Sequence, residues 1–330
     1  MGKVDGQADD KMSVLLSARV QKPMQCFSSW FSRLADASRR VLSTAKDTTI
    51  ICMPRTVVQI VAGNRWQVRE DIEDQVAAYR LSCRKGRRKM VLYTAAFGDA
   101  DPLLLPDIID PDVDYICYTD RPRNDYGVWQ LRSAPYSHSD RTRIARYVKM
   151  HPHQLFPTHE VAVWIDANIL LKGDIQKYIE MVRGVGAQMG LIAHPDRNCF
   201  YEEVEACKRF GKDRAGIIDA QANNYRANGL PYKQPLYETG FMVVQLQDAK
   251  SIAALQLWWQ QIEQFSRRDQ LGLSWVTHQM PELNIISLLP RGSSVRNHED
   301  FRYYRHSYAR ALIVPKVVER LGSVSHPIDQ

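Results

Sequence analysis

Val161-Ala-Val-Trp-Ile-Asp-Ala-Asn-Ile-Leu-Leu-Lys-Gly-Asp174 is the stretch from which the fold is read. Val161 to Ile165 is β-branched and aromatic with no polar alternation, the pattern of a strand buried on both faces. Asp166-Ala167-Asn168 follows at once, and a second apolar run, Ile169 to Leu171, comes next. In extended chain, side chains two apart point the same way, so Asp166 and Asn168 are expected to reach one point. Open α/β sheets bind ligands beyond the carboxyl ends of their strands. Two oxygen ligands at such an edge suit a hard divalent cation that holds a phosphate. The commonplace alternative is a strand that ends in an Asp/Asn turn.

Working outward, strands alternate with helices from Met90 onward. Met90 to Thr94 reads as a strand that opens into the small-residue loop Ala95 to Asp101. Asp114 to Thr119 reads as a second strand ending at Asp120. Helical spacing covers Arg141 to His153, Asp174 to Val185 with Asp174 as cap, two segments within 201–228, Ser251 to Gln264, and Leu271 to His278. Gly190 to Ala193 and Phe241 to Leu246 complete the strands. The alternation predicts an α/β fold with a mainly parallel sheet covered on both faces. Three regions follow: a basic, partly helical extension over 1–88, a main domain over 89–310, and a tail over 311–330.

The charge is uneven. The chain of 330 residues carries a net +7, but residues 1–90 hold 17 Lys/Arg against 9 Asp/Glu, a net +8. The main domain is therefore close to neutral and shows no basic, aromatic-interleaved face, which excludes nucleic acid as its expected partner. Six cysteines, at 26, 52, 83, 117, 199 and 207, form no CxxC pair, as expected for a reducing, cytoplasmic setting. No apolar stretch is long enough to span a membrane. Residues 25–46 place Phe27, Trp30, Phe31, Leu34, Val41 and Leu42 near helical spacing with arginines between them. Such a helix packs on its own domain or a partner, or lies peripherally on the inner face of an anionic membrane.

Candidate chemistry gathers at strand ends. Thr94, Ala95 and Asp120 stand where α/β folds hold a base and ribose. Arg141, Arg143, Arg146 and Lys149 crowd one helix. Arg143 and Arg146 share a face by their spacing, suited either to a diphosphate or to water. Glu238-Thr239-Gly240 precedes a strand. Asp269-Gln270 opens a helix, where Asp269 suits a reacting centre, a cap, or an ion pair with Arg267 or Arg268. Histidines 194, 278, 298 and 306 are chemically able to bind metal. No nucleophile elbow, Walker loop or GxGxxG fingerprint occurs, which lowers hydrolase, kinase and dehydrogenase readings.

Taken together, these motifs resemble a known pattern. The run RIARYVKMHPHQLFPTHEVAVWIDANILLKGD is similar to the core of GT-A glycosyltransferases of family 8, in which an apolar strand ends in Asp-x-Asp. ETGFMVVQLQDAKSIAALQLWW and RDQLGLSWV are similar to later elements of that family. Closer still, YTAAFGDAD, YICYTD, PHQLFP, WIDAN, HPDRNCFYEE and SRRDQL resemble a glycosyltransferase-like family first catalogued as a domain of unknown function, which includes plant proteins linked to cell-wall and mucilage polysaccharide. The resemblance covers about residues 90–310.

What the resemblance implies is a GT-A (Rossmann-like) fold and a hexosyltransferase using a nucleotide-diphosphate sugar, a carbohydrate or glycoconjugate acceptor, and Mn²⁺ or Mg²⁺. Asp166 and Asn168 take the Asp-x-Asp role, with His306 as a further metal ligand and His298 second. The amide at 168 departs from the family's second acid. Arg146, helped by Arg143 and Lys149, faces the donor, and Thr94, Ala95 and Asp120 face its nucleoside. Glu238 faces the sugar, and Asp269 and Gln270 stand beside the anomeric centre. Two other readings are a non-catalytic scaffold that binds sugar or nucleotide, and a nucleotidyltransferase.

Overall fold

The structure is a computed structural model. It describes residues 70–82, 88–98, 101, 103–120 and 127–304, together with the strands Val58–Val61 and Arg65–Val68. The helix expected over 25–46, the tail over 311–330 and His306 lie outside the described residues.

In chain order, β1 (Val58–Val61) and β2 (Arg65–Val68) form an antiparallel pair, followed by α1 (Glu70–Ser82). Then come β3 (Met90–Ala96), β4 (Val113–Thr119), β5 (Gln130–Arg132), α2 (Arg141–Met150) and α3 (Pro152–Leu155). The centre holds β6 (Val161–Ile165), β7 (Ile169–Leu171), α4 (Ile175–Gly184) and β8 (Met189–Ala193). After α5 (Phe200–Arg209) and α6 (Ala215–Ala227) follow β9 (Tyr237–Gln245), α7 (Ala249–Gln264), α8 (Asp269–Gln279), β10 (Ile285–Ser287) and β11 (Phe301–Tyr303).

Seven strands form the main sheet in the order β10-β8-β9-β6-β3-β4-β5. All neighbours are parallel except β9, which runs antiparallel to both β6 and β8. The expected α/β plan, a mainly parallel central sheet wrapped by helices, is the plan observed.

Residue alternation in β6 explains why it is central. Val161, Val163 and Ile165 enter one core with Tyr178, Ile179 and Val182 of α4. Ala162 and Trp164 enter the opposite core with Val148 of α2, Trp258 and Trp259 of α7, and Leu273 and Val276 of α8. A strand buried on both faces needs no polar positions, so its sequence shows none until the strand ends.

Several local expectations are corrected. Met150 ends α2, because Pro152 cannot continue its hydrogen bonding and instead opens the short α3. Glu238, Thr239 and Gly240 lie inside β9 rather than before it. Asp166-Ala167-Asn168 is a turn, closed by Ile169 N donating to Asp166 O at 2.9 Å, so the extended two-residue spacing does not apply there. Asp174 does cap α4, accepting from Gln176 N at 2.9 Å. The packed domain also begins upstream of residue 89. Val76 and Tyr79 of α1 are buried in the first core, and Tyr79 meets Tyr115 edge-on at 5.3 Å. Arg88, from the basic run, is no solvated linker residue, since it pairs with Asp114 at 3.0 Å and lies over the Tyr79 ring.

Past the turn, β7 pairs with β11, and Asp300 fastens the junction. Its carbonyl accepts from Lys172 N and Gly173 N, while its carboxylate accepts from Tyr178 Oη at 2.6 Å and Lys177 Nζ at 2.9 Å. Gly173 is required at this point, because a Cβ there would lie 2.4 Å from the Asp300 carboxyl carbon. No helix among the described residues is long and apolar enough to cross a membrane.

Candidate functional site

The carboxyl end of β6 carries a cluster of buried charge. Trp164 Nε1 donates to Asp166 Oδ1 at 2.7 Å, which fixes the carboxylate as it leaves the strand. Gly240 of β9 faces it, and a Cβ at that position would lie 3.4 Å from Asp166 Oδ2 and 2.9 Å from Ile169 Cδ1. Helix α2 crosses the same face and presents Arg146 and Lys149. Helix α8 begins there with Arg268 and Asp269.

Asp269 is the hub. Both it and Lys149 are fully buried. Lys149 Nζ donates to Asp269 Oδ2 at 2.5 Å and to the Thr239 carbonyl, and it stands 5.4 Å from the Trp164 ring. Thr239 Oγ1 donates to the same carboxylate oxygen at 2.9 Å, and Arg146 Nε lies 3.3 Å from it. Burial pushes the Asp269 carboxyl up, but Arg146, Lys149 and Arg268 outweigh it and hold it well below the usual carboxylate range. Asp166 also acts electrostatically on Lys149 and Arg268, so the two acids share one set of cations. Close approach of α8 to α7 sets the hub in place. Gly272 leaves room for the Trp258 ring, whose Nε1 donates to the Asp269 carbonyl at 2.8 Å.

Hydrogen-bonding capacity in this region is not exhausted. Among the described residues, Thr94 Oγ1, Arg146 Nε, Glu238 Oε2, Arg268 Nε and Asp269 Oδ1 are buried without a hydrogen-bond partner. Buried polar groups are ordinarily satisfied, so a concentration of unsatisfied ones marks a place for a polar ligand. Thr94 belongs to this edge by register. It follows Tyr93, the partner of Trp164 across the β3–β6 pairing.

The remaining sequence candidates fall in three settings. Asp120 accepts from Gly98 N with both oxygens at 3.1 Å and pairs with Arg141 at 3.3 Å, which sets the loop after Ala95. Gly98 adopts φ +74°, which favours glycine. Glu238 is buried, and its Oε1 accepts from Arg296 Nη1 at 2.6 Å and Ser294 Oγ at 3.3 Å. Gln270 donates to the Tyr237 carbonyl at 3.0 Å and accepts from Arg268. Arg143 is turned elsewhere. Its guanidinium donates to the carbonyls of Ile262 and Phe265 at the end of α7, so it satisfies helix-terminal groups.

Asn168 is buried, and its Nδ2 donates to the Tyr304 carbonyl at 2.7 Å while Tyr304 N donates to the Asn168 carbonyl at 2.8 Å. Its side-chain oxygen is the one atom left for a cation. Among the described residues no group of three His, Cys, Asp or Glu side chains is arranged to hold a metal. His298 Nδ1 accepts from Asp300 N at 3.2 Å, on the β11 side of the junction. Asp166 and Asn168 each offer a side-chain oxygen of the kind that hard divalent cations take.

Sequence reasoning did not single out Thr239, Trp164, Arg268 or Glu203 as site residues. Glu203 is buried and joins Arg197, at 2.8 Å, to Arg268, at 3.8 Å. All four lie within motifs already quoted, but their roles depend on contacts between distant elements.

The model of the TOD1/MUCI70 glycosyltransferase-like domain matches residues 117–290, more than half of the chain. The chain belongs to this family. The matched span runs from Cys117 in β4 to Pro290 after β10, so it contains the whole Asp166–Asp269 cluster. Among TOD1/MUCI70-related proteins, the chain is similar to the probable hexosyltransferase MUCI70 of Arabidopsis thaliana, with 29% identity over 161 residues. That match takes in 46% of the chain and 27% of the plant protein, so the chain corresponds to about a quarter of that relative's length. Solved structures similar to it include the WbbM bifunctional glycosyltransferase in its apo form, at 12% identity and a TM-score of 0.40 over 67% of this chain and 46% of that one. The apo form of mouse xyloside xylosyltransferase 1 is similar at 12% identity and a TM-score of 0.36, over 61% of this chain and 84% of that one.

Proposed function

We propose that this protein is a glycosyltransferase of family 8 type, moving a hexose-type sugar from a nucleotide-diphosphate sugar to a polysaccharide or glycoconjugate acceptor with a divalent cation assisting. One observation carries the reading. At the carboxyl edge of a central strand, Arg146, Lys149 and Arg268 surround the buried Asp269, Asp166 acts on Lys149 and Arg268 as well, and several polar atoms there lack hydrogen-bond partners. Family membership and the name of the plant relative support it.

Transfer breaks the bond between the anomeric carbon and a diphosphate oxygen. The leaving group gains negative charge, so fixed cations aimed at it lower the barrier. Arg146 and Arg268 are the side chains for that role, because each is partly exposed and Arg268 keeps a buried Nε without a hydrogen-bond partner. Lys149 is fully enclosed and positions Asp269 instead. Asp166 and Asn168 would hold the cation, which when bound supplies Lewis-acid neutralisation of the diphosphate. Thr94, Ala95 and Asp120 line the strand ends where the nucleoside sits, and Glu238 and Gln270 flank the sugar.

A panel of nucleotide sugars with Mn²⁺ or Mg²⁺ tests this. Release of nucleoside diphosphate, lost in Asp166→Ala, is the expected result. Pyrophosphate release would instead identify a nucleotidyltransferase. Binding without turnover of any donor would identify a scaffold. Asp166→Ala retaining parental donor and cation affinity would overturn the assignment of the edge.

A further inference from the structure

Beside the cluster, α5 and the loop before β9 line an open cleft of about 580 Å³. Its lining includes Arg197, Tyr201, Glu202, Arg209 and Tyr232. That volume lies within the usual range for small-ligand clefts, roughly 300–1,000 Å³. Tyr201 is a fixed floor. Its hydroxyl donates to the Leu230 carbonyl at 2.9 Å, and Arg226 covers its ring at 4.8 Å. Tyr232 leans on that floor with ring centroids 4.7 Å apart and planes tilted by 40°. It remains 66% exposed, one of the few large apolar side chains left open to solvent among the described residues.

From these features we infer that the Tyr201–Tyr232 cleft is a carbohydrate subsite that seats the acceptor glycan. This inference rests on the transferase reading above. A sugar ring has one face of C–H groups and a rim of hydroxyls. The C–H face carries slight positive charge and packs on the negative face of an aromatic ring. The hydroxyls need both donors and acceptors, which Arg197, Arg209 and Glu202 supply around the tyrosines.

Continuity with the candidate site favours a glycan over other occupants. Arg197, on the cleft wall, donates to Glu203 at 2.8 Å, and Glu203 also faces Arg268, the residue before Asp269. The loop that carries Tyr232 runs directly into Tyr237 and Glu238 of β9, and His194 N fastens it by donating to the Leu236 carbonyl at 2.8 Å. An oligosaccharide lying on Tyr232 is thereby led toward the same edge that holds the donor. The mixed charge of the rim suits hydroxyls better than a phosphate or a strongly acidic segment.

The test measures binding directly, with no donor present. The full chain is titrated with defined hexasaccharides, neutral and uronic-acid, and followed by saturation-transfer NMR. Wild type and Tyr232→Phe are expected to bind at least one of them. Tyr232→Ala is expected to weaken that binding about tenfold, the equivalent of losing one aromatic contact. Its donor hydrolysis should stay at the parental rate. Equal affinity of Tyr232→Ala and wild type would overturn the subsite. So would failure of wild type to bind any hexasaccharide while it still hydrolyses donor, which would leave the transferase reading standing and turn the exposed tyrosine toward a protein partner. Failure of both binding and hydrolysis would overturn both.

Discussion

Lys149→Met is the most informative perturbation of the hub. Methionine matches the lysine stem in length and keeps the apolar contacts with Trp164, so the change is chiefly one of charge. In the native protein both partners are fully buried and 2.5 Å apart. Breaking a buried ion pair from one side costs about 3–5 kcal/mol, because the other charge stays behind. Arg146, 3.3 Å away, and Arg268 remain to share the Asp269 carboxylate, which places the expected loss near the lower limit. For a domain of this size about 3 kcal/mol corresponds to a fall in Tm of roughly 6–12 °C. The pH dependence supplies a second readout. The folded-state carboxyl of Asp269 is held low, so its stabilisation is present above the unfolded value of about 3.9 and is lost as pH falls toward the folded value. Removing Lys149 raises the folded value, so the mutant should lose less stability than the parent between neutral pH and acid. Scanning calorimetry at pH 7 and at about pH 2.5, inside the window below the unfolded value, gives both quantities. A Tm within 2 °C of the parent at pH 7, or an unchanged acid slope, would refute the hub.

Asn168→Asp places a second acid at this turn but sets an acceptor against the Tyr304 carbonyl now bonded at 2.7 Å. It should lower stability by about 1–3 kcal/mol at pH 7, read as a fall in Tm, with no gain in Mn²⁺ affinity by calorimetric titration. Arg143→Ala should lower Tm, since it deprives the α7 carbonyls of their donors at about 1.5–3 kcal/mol, while leaving the KM for donor unchanged. Arg146→Ala should do the reverse in kinetics, cutting kcat for donor turnover at least tenfold by removing a leaving-group contact, about 1.4 kcal/mol or more. Gly240→Ala forces a methyl against Ile169 and Asp166, at a cost of about 1–3 kcal/mol, and donor hydrolysis should fall well before the fold does. Matching melts and hydrolysis rates of that variant and the parent would remove Gly240 as a determinant of the Asp166 position.

The central strand was legible because burial on both faces leaves an unmixed apolar signature, and the change to Asp166 marks its end. The helices were legible from their spacing, and Asp174 from its capping chemistry. The turn at Ala167 was not, because an Asp-x-Asn triplet is compatible with both extended and turn backbone, and only the Ile169–Asp166 hydrogen bond decides. Arg143 and Arg146 carry the same spacing signal, yet one ends at α7 carbonyls and the other at Asp269. A three-residue offset shares a face but not a destination once long side chains meet different neighbours. The pairing of Lys149 with Asp269 joins residues 120 apart in the chain, a distance at which local pattern carries no information.

The Asn168–Tyr304 clip has a consequence for biosynthesis. Its two members are 136 residues apart, so a ribosome adding about 5–20 residues per second completes the Asp166 turn roughly 7 to 27 s before the strand that fastens it exists. Through that interval Asn168 lacks its carbonyl partner and β7 lacks β11. The newborn protein therefore becomes competent at this edge only once Tyr304 has left the exit tunnel.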